Sequence, residues 1–146
     1  MTRFIVLAGL SGVGKTYRRT TDPALKDLPY VDIADIYRDN PGGIPPRDAF
    51  SMLINEAFGY INDGAEAVVL EAYFKPGSFQ RKSLEYYAEG SSVQVEYIDL
   101  TASVAVCKER ILSQGKAAIE AGEDAVWWNN YTMTRIHFLA GNYSPS

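Results

Sequence analysis

Eight consecutive residues, Gly9-Leu10-Ser11-Gly12-Val13-Gly14-Lys15-Thr16, fit the pattern G-x-x-x-x-G-K-[ST] of a loop that wraps the phosphates of a nucleotide. Each residue type has a chemical reason. Glycines at 9, 12 and 14 let successive backbone N–H groups, including those of Ser11, Gly12 and Val13, turn inward around the β-phosphate. Lys15 reaches the β and γ oxygens, and the Thr16 hydroxyl can ligate Mg²⁺. Moving the γ-phosphate further requires added cations and a carboxylate that takes the proton of an acceptor hydroxyl. Asp35 and Arg38, at i and i+3, suit a base and an anion clamp on one side of a short helix. Helix capping is the alternative use of Asp35. Asp32 reads as a local hydrogen-bonding group. Glu71 follows the apolar run Ala67-Val68-Val69-Leu70, where an acid can hold a magnesium-bound water or a substrate. Arg81, Lys82, Arg110 and Lys116 are the downstream cations, each with a solvated helix face as its plain alternative. Arg110 is the best placed of them.

These residues need elements to position them. Phe4-Ile5-Val6-Leu7-Ala8 is short and apolar and reads as a buried parallel strand feeding the loop. A helix starting at Gly14 or Lys15 would set its positive end against the phosphates, and Thr20-Thr21-Asp22-Pro23 ends it within about two turns. A second strand is predicted over Tyr30–Ile33, so that Asp35 stands just past its end. A helix from about Arg47 to Asn62 repeats Phe50, Leu53, Ile54, Ala57, Phe58 and Ile61 on one face. The third strand is Ala67–Ala72, the next helix runs from about Pro76 to Glu89, and the fourth strand spans Val93–Ile98. Thr101 is the predicted cap of a helix carrying Val104, Cys107 and Ile111, interrupted at Ser113-Gln114-Gly115. A last helix, about Glu123 to Leu139, places Trp127, Tyr131, Thr134 and Phe138 on one stripe, with Trp127 and Trp128 packing it on the sheet. Strands alternating with helices imply an α/β fold with a four-stranded parallel sheet. Right-handed crossovers give the order 2-3-1-4, with the loop on a central strand and ligands at the strands' carboxyl ends.

Composition narrows the function. At 146 residues the expectation is a single domain over 1–146, and 47% hydrophobic with 22% charged residues is ordinary for a globular chain. A net charge of −4 argues against clamping long nucleic acid, so any such contact should be brief or limited to an end. The single Cys107 excludes an internal disulfide and reads as core packing. His137, the one histidine, lacks the partners of a zinc site and reads as surface or half-buried. Without a leader or an apolar run near ~20 residues, no membrane partner and a cytoplasmic location are expected.

Together the segments resemble the kinase domain of phage polynucleotide 5′-kinase and the wider group of small phosphate-binding-loop kinases. Asp35-Ile36-Tyr37-Arg38 looks like that family's Asp-Asp-Tyr-Arg, at nearly the same distance from the loop. Val68-Val69-Leu70-Glu71-Ala72-Tyr73-Phe74, with Arg81 downstream, is similar to the family's strand ending in Asp-Thr-Asn and its following Arg. Here Glu71 replaces the Asp and the Thr-Asn pair is absent. Lys108-Glu109-Arg110, then Gln114-Gly115-Lys116, looks like a helical lid over about 108–122, with Gln114 where the family has a second lid Arg. The resemblance implies ATP or another nucleoside triphosphate as donor, with Mg²⁺ held by Thr16 and Glu71. It implies Lys15, Asp35 and Arg110 as catalytic residues, and Arg38, Glu71 and Arg81 at the acceptor. The acceptor it implies is a nucleic acid 5′-hydroxyl or a nucleotide. A small metabolite, a nucleoside or a hydroxymethylated DNA base is the alternative, and the departures at Glu71 and Gln114 allow a non-catalytic nucleotide-binding module.

Overall fold

The structure is a computed structural model that describes residues 2–143, with backbone alone at Phe138 and over 140–143. It divides into two compact units. One joins the chain up to Gly9 with Lys15–Leu100, and the other joins Leu10–Gly14 with the chain from Thr101 onward.

The first unit is built on β1 (Arg3–Ala8), β2 (Tyr30–Asp32), β3 (Ala67–Ala72) and β4 (Gln94–Asp99), all parallel and in the order β2-β3-β1-β4. That is the order expected from the sequence. Alternation along β1 sends Phe4, Val6 and Ala8 into one core and Ile5 and Leu7 into another. Both faces of the strand are covered, which is why it reads as one continuous apolar run. The larger core takes in Leu53, Ile54 and Ala57 of α3 (Pro46–Asn62) and Leu84 and Ala88 of α4 (Phe79–Gly90). Helix α1 (Lys15–Thr21) follows the loop and is as short as its breakers require. The second strand stops at Asp32, one residue early, because the Asp32 side chain accepts the Ala34 N–H at 2.9 Å and caps α2 (Ile33–Arg38). Similarly, α4 starts at Phe79 rather than near Pro76, since Ser78 caps it.

The second unit holds α5 (Val104–Glu120) and α6 (Ala125–Tyr143), packed along each other. Three expectations change here. Ser103, not Thr101, caps α5, its hydroxyl accepting the Val106 N–H at 3.1 Å. Helix α5 runs unbroken through Ser113-Gln114-Gly115, because Gly115 is a packing residue and not a breaker. A Cβ there would lie 2.5 Å from Thr132 Oγ1. The span expected as a lid is thus the body of α5 as far as Glu120. The buried stripe of α6 is Trp128, Thr132 and Leu139, one residue on from the predicted Trp127, Tyr131 and Thr134; the side chain of Phe138 lies outside the described residues. Trp127 instead stacks on Tyr131, ring centroids 4.8 Å apart. Cys107 is buried on α5 and His137 is exposed, as expected.

Candidate phosphate-binding site

In the first unit, parallel pairing sets Leu7 opposite Glu71 and Asp32 opposite Glu71 on the other side, at the carboxyl ends of the strands. Glu71 is only 1% exposed, and a buried carboxylate needs partners. It has two. Thr16 Oγ1 donates to Glu71 Oε1 at 2.8 Å, and Arg19 Nε donates to Oε2. The Arg19 guanidinium also lies 3.5 Å over the Tyr30 ring. So Glu71 locks α1 to the sheet and orients the Thr16 hydroxyl. Lys15 Nζ donates to the Gly9 carbonyl at 2.7 Å, folding back along the loop.

Asp32 sits beside this pair, and burial first, then the negative charge of Glu71, pushes its carboxyl up to about 6. Asp35 adds to the rise and Lys15 opposes it. Asp32 therefore lies within electrostatic reach of Glu71, Asp35 and Lys15, and all four gather at one end of the sheet. On α2, Asp35 Oδ1 and Arg38 Nη1 are 3.5 Å apart and both are well exposed, as the i, i+3 spacing predicted. Arg81 is held at the end of β4, where Asp99 lies opposite Ala8 at the carboxyl ends of the strands. It donates to the Phe74 carbonyl at 2.8 Å, pairs with Asp99 and lies over the Tyr97 ring, clamping α4 to β4.

The second unit carries the middle of the loop. The Val13 N–H closes a turn on the Leu10 carbonyl at 3.1 Å. Gly12 has φ +82°, and a Cβ on it would stand 2.6 Å from the Cys107 carbonyl oxygen of α5, so only glycine fits. Arg110 of α5 donates from Nη1 to the Gly12 carbonyl at 3.2 Å and the Val13 carbonyl at 3.0 Å. Arg135 of α6 donates from Nε to Ser11 Oγ at 2.5 Å and from Nη1 to Gln114 Oε1 at 2.7 Å. The partners of both arginines in these contacts are neutral oxygens.

A four-stranded parallel sheet in the order 2-3-1-4, a G-x-x-x-x-G-K-T loop leaving the central strand β1, and a helix starting at its lysine define the architecture. The fold is that of the P-loop kinases. A candidate kinase from Chloroflexus aurantiacus superposes with a TM-score of 0.65 at 20% identity, over 88% of this chain and 76% of its own. The Mycobacterium tuberculosis APS kinase CysC, in complex with AMPPNP and APS, matches at 0.58 and 16% identity, over 84% of this chain and 76% of that one. A chain of the Pnkp1/Rnl/Hen1 RNA repair complex matches at 0.57 and 14% identity, over 98% of this chain and 46% of that one. No family model matches the sequence, and no curated protein matches it. Among the described residues no helix is long and apolar enough to cross a membrane, and no cluster of three His, Cys, Asp or Glu could cage a metal.

Three residues at this P-loop kinase fold's strand ends and loop escaped the sequence reading. Arg19, on a short helix, carries no motif of its own, and Asp32 read only as a local hydrogen-bonding group. Arg135 was hidden by its charge. With Trp128, Thr132 and Leu139 it follows the spacing i, i+4, i+7, i+11, but a stripe containing Thr and Arg does not look apolar.

Proposed function

We propose that the chain is an ATP- and Mg²⁺-dependent phosphotransferase that moves the γ-phosphate to a hydroxyl of a nucleic acid 5′ end or a nucleotide. One observation carries the reading: Asp35, paired with Arg38 on α2, shares the end of the sheet with Lys15 and Thr16. Asp35 takes the proton of the acceptor hydroxyl as its oxygen attacks the γ-phosphorus and the bond to the β–γ bridging oxygen breaks, leaving ADP. Arg38 holds the acceptor's anionic group. Lys15 balances charge on the β and γ oxygens, and Arg110 holds the loop through the Gly12 and Val13 carbonyls. Likeness in fold to the Pnkp1/Rnl/Hen1 RNA repair complex supports a nucleic-acid acceptor. Likeness to APS kinase supports the second reading, a small-molecule acceptor.

The donor set suits magnesium. A Thr16 hydroxyl and the carboxylates of Glu71 and Asp32 are hard oxygen ligands, and Mg²⁺ usually takes few protein ligands beside phosphate oxygens and water. Both Glu71 oxygens are engaged, so its contribution runs through Thr16 and through water. When bound, the ion neutralises phosphate charge.

Incubation with labelled ATP and single- and double-stranded 5′-hydroxyl oligonucleotides, hydroxymethylated DNA, nucleosides and sugars tests the acceptor. Transfer to a nucleoside or sugar and to no oligonucleotide would overturn the nucleic-acid reading. Asp35→Asn should slow turnover at least ~100-fold while leaving ATP affinity largely intact. Unchanged turnover removes Asp35 as the base.

A further inference from the structure

We infer that Arg19 of α1 is a positioning residue for the magnesium–triphosphate complex, acting through Glu71 on the Thr16 hydroxyl. The inference rests on the reading of Thr16 as a ligand of the ion. Thr16 and Arg19 stand at i and i+3, on one side of α1, and both reach the same buried carboxylate of β3. Thr16 Oγ1 donates to Glu71 Oε1 at 2.8 Å, and Arg19 Nε donates to Oε2. A hydroxyl has one proton and two lone pairs. With its proton committed to Glu71, Thr16 keeps its lone pairs for a cation. The other threonines of this helix show what the hydroxyl does without such a partner. Thr20 Oγ1 donates back to the Thr16 carbonyl at 2.9 Å, and Thr21 Oγ1 to the Tyr17 carbonyl at 2.7 Å.

Arg19 is what holds Glu71 in that pose. A glutamate side chain turns about three bonds, so one hydrogen bond to Thr16 does not fix both of its oxygens. Arg19 supplies the second fixed point, and its own guanidinium is set 3.5 Å over the Tyr30 ring of β2. The neighbouring Arg18 makes the ordinary use of a helix surface, pairing one turn on with Asp22 at 3.0 Å. Arg19 turns inward to β3 instead. The charges of Arg19 and Glu71 cancel, so the pair orients the hydroxyl and leaves the ion's charge to the phosphates. Groups that orient a metal ligand in this way are worth about 10- to 100-fold in metal affinity.

The test measures, by calorimetry on the full chain, affinity for AMPPNP with Mg²⁺ and with EDTA, the ratio being the magnesium increment. The variants are Arg19→Gln, Thr16→Val, the two combined, and the neutral pair Arg19→Gln with Glu71→Gln. Arg19→Gln should lower the increment at least ~10-fold and leave affinity in EDTA unchanged. A merely structural role would lower both affinities together. Thr16→Val should lower the increment at least as far, and adding Arg19→Gln to it should lower it no further, since both act on one hydroxyl. The neutral pair buries no charge and can still accept the Thr16 proton, so it should fold, with an increment closer to wild type than to Thr16→Val. Thermal unfolding checks each variant, and where Arg19→Gln does not fold the neutral pair decides in its place. Equal losses with and without Mg²⁺, an unchanged increment in Arg19→Gln, or a further loss on Thr16→Val would overturn the inference. So would a neutral pair as poor as Thr16→Val. If wild type binds AMPPNP without a magnesium increment, the reading of Thr16 falls. If it binds no AMPPNP, the triphosphate reading falls, and the inference falls with either.

Discussion

Arg19 in the first unit and Arg110 in the second both serve the same eight-residue motif, yet they are held in opposite ways. Arg19 is 12% exposed and closed against a carboxylate that is 1% exposed. Arg110, and Arg135 with it, contact carbonyl, hydroxyl and amide oxygens. The first arrangement is a structural lock whose charges cancel each other, and losing either partner leaves the other buried and uncompensated. The second, at Arg110, works through backbone carbonyl oxygens and holds the middle of the loop against α5. The same residue type thus closes an ion pair in one region and braces loop backbone in the other, according to what lies opposite it.

The strongest way to break this contrast is at the lock. Glu71→Ala strips Arg19 and Thr16 of their partner, and stability in urea unfolding should fall by about 3 kcal/mol. A loss below about 1 kcal/mol would mean the pair is solvated and weak. On the loop, Gly12→Ala meets both a positive φ and the Cys107 carbonyl, so it should cost about 2 kcal/mol and weaken Mg·AMPPNP binding at least ~10-fold. Binding at the wild-type level would show that the loop can leave α5 freely.

The smallest effect concerns Asp32, which neighbours the lock without a cation of its own in it. Its carboxyl is raised from 3.8 to about 6, chiefly by burial and secondly by Glu71. Because the folded value lies above the unfolded one, the wild type binds more protons folded than unfolded between those values. Its stability therefore falls as pH rises from about 4 to about 6. Asp32→Asn keeps the cap of α2 but carries no charge. It should be more stable than wild type by on the order of 1 kcal/mol at pH 7, with the difference vanishing near pH 4. A difference that does not change with pH would remove charge as its cause.

Much of the scaffold was legible because its signals are local. The apolar runs of β1 and β3 marked the buried strands, and crossover handedness then ordered the sheet. The Asp35–Arg38 pair followed from helical spacing alone. The last two helices were harder. Gly115 suggested a break because glycine disfavours helix, but its missing side chain is what admits Thr132. The face of α6 was misjudged by one residue because Trp127 and Trp128 are equally apolar, and only the partner helix decides between them.

By itself, the sequence determined the loop, the strand that carries it and the order of the sheet, because each depends on residue type at short range. Tertiary structure decided what each charge meets: that Glu71 is occupied by Thr16 and Arg19, that Arg81 belongs to Asp99, and that Arg135 reaches Ser11 across 124 positions of chain. An ionic or hydrogen-bonded contact is set by distance in space, and separation along the chain carries no record of it.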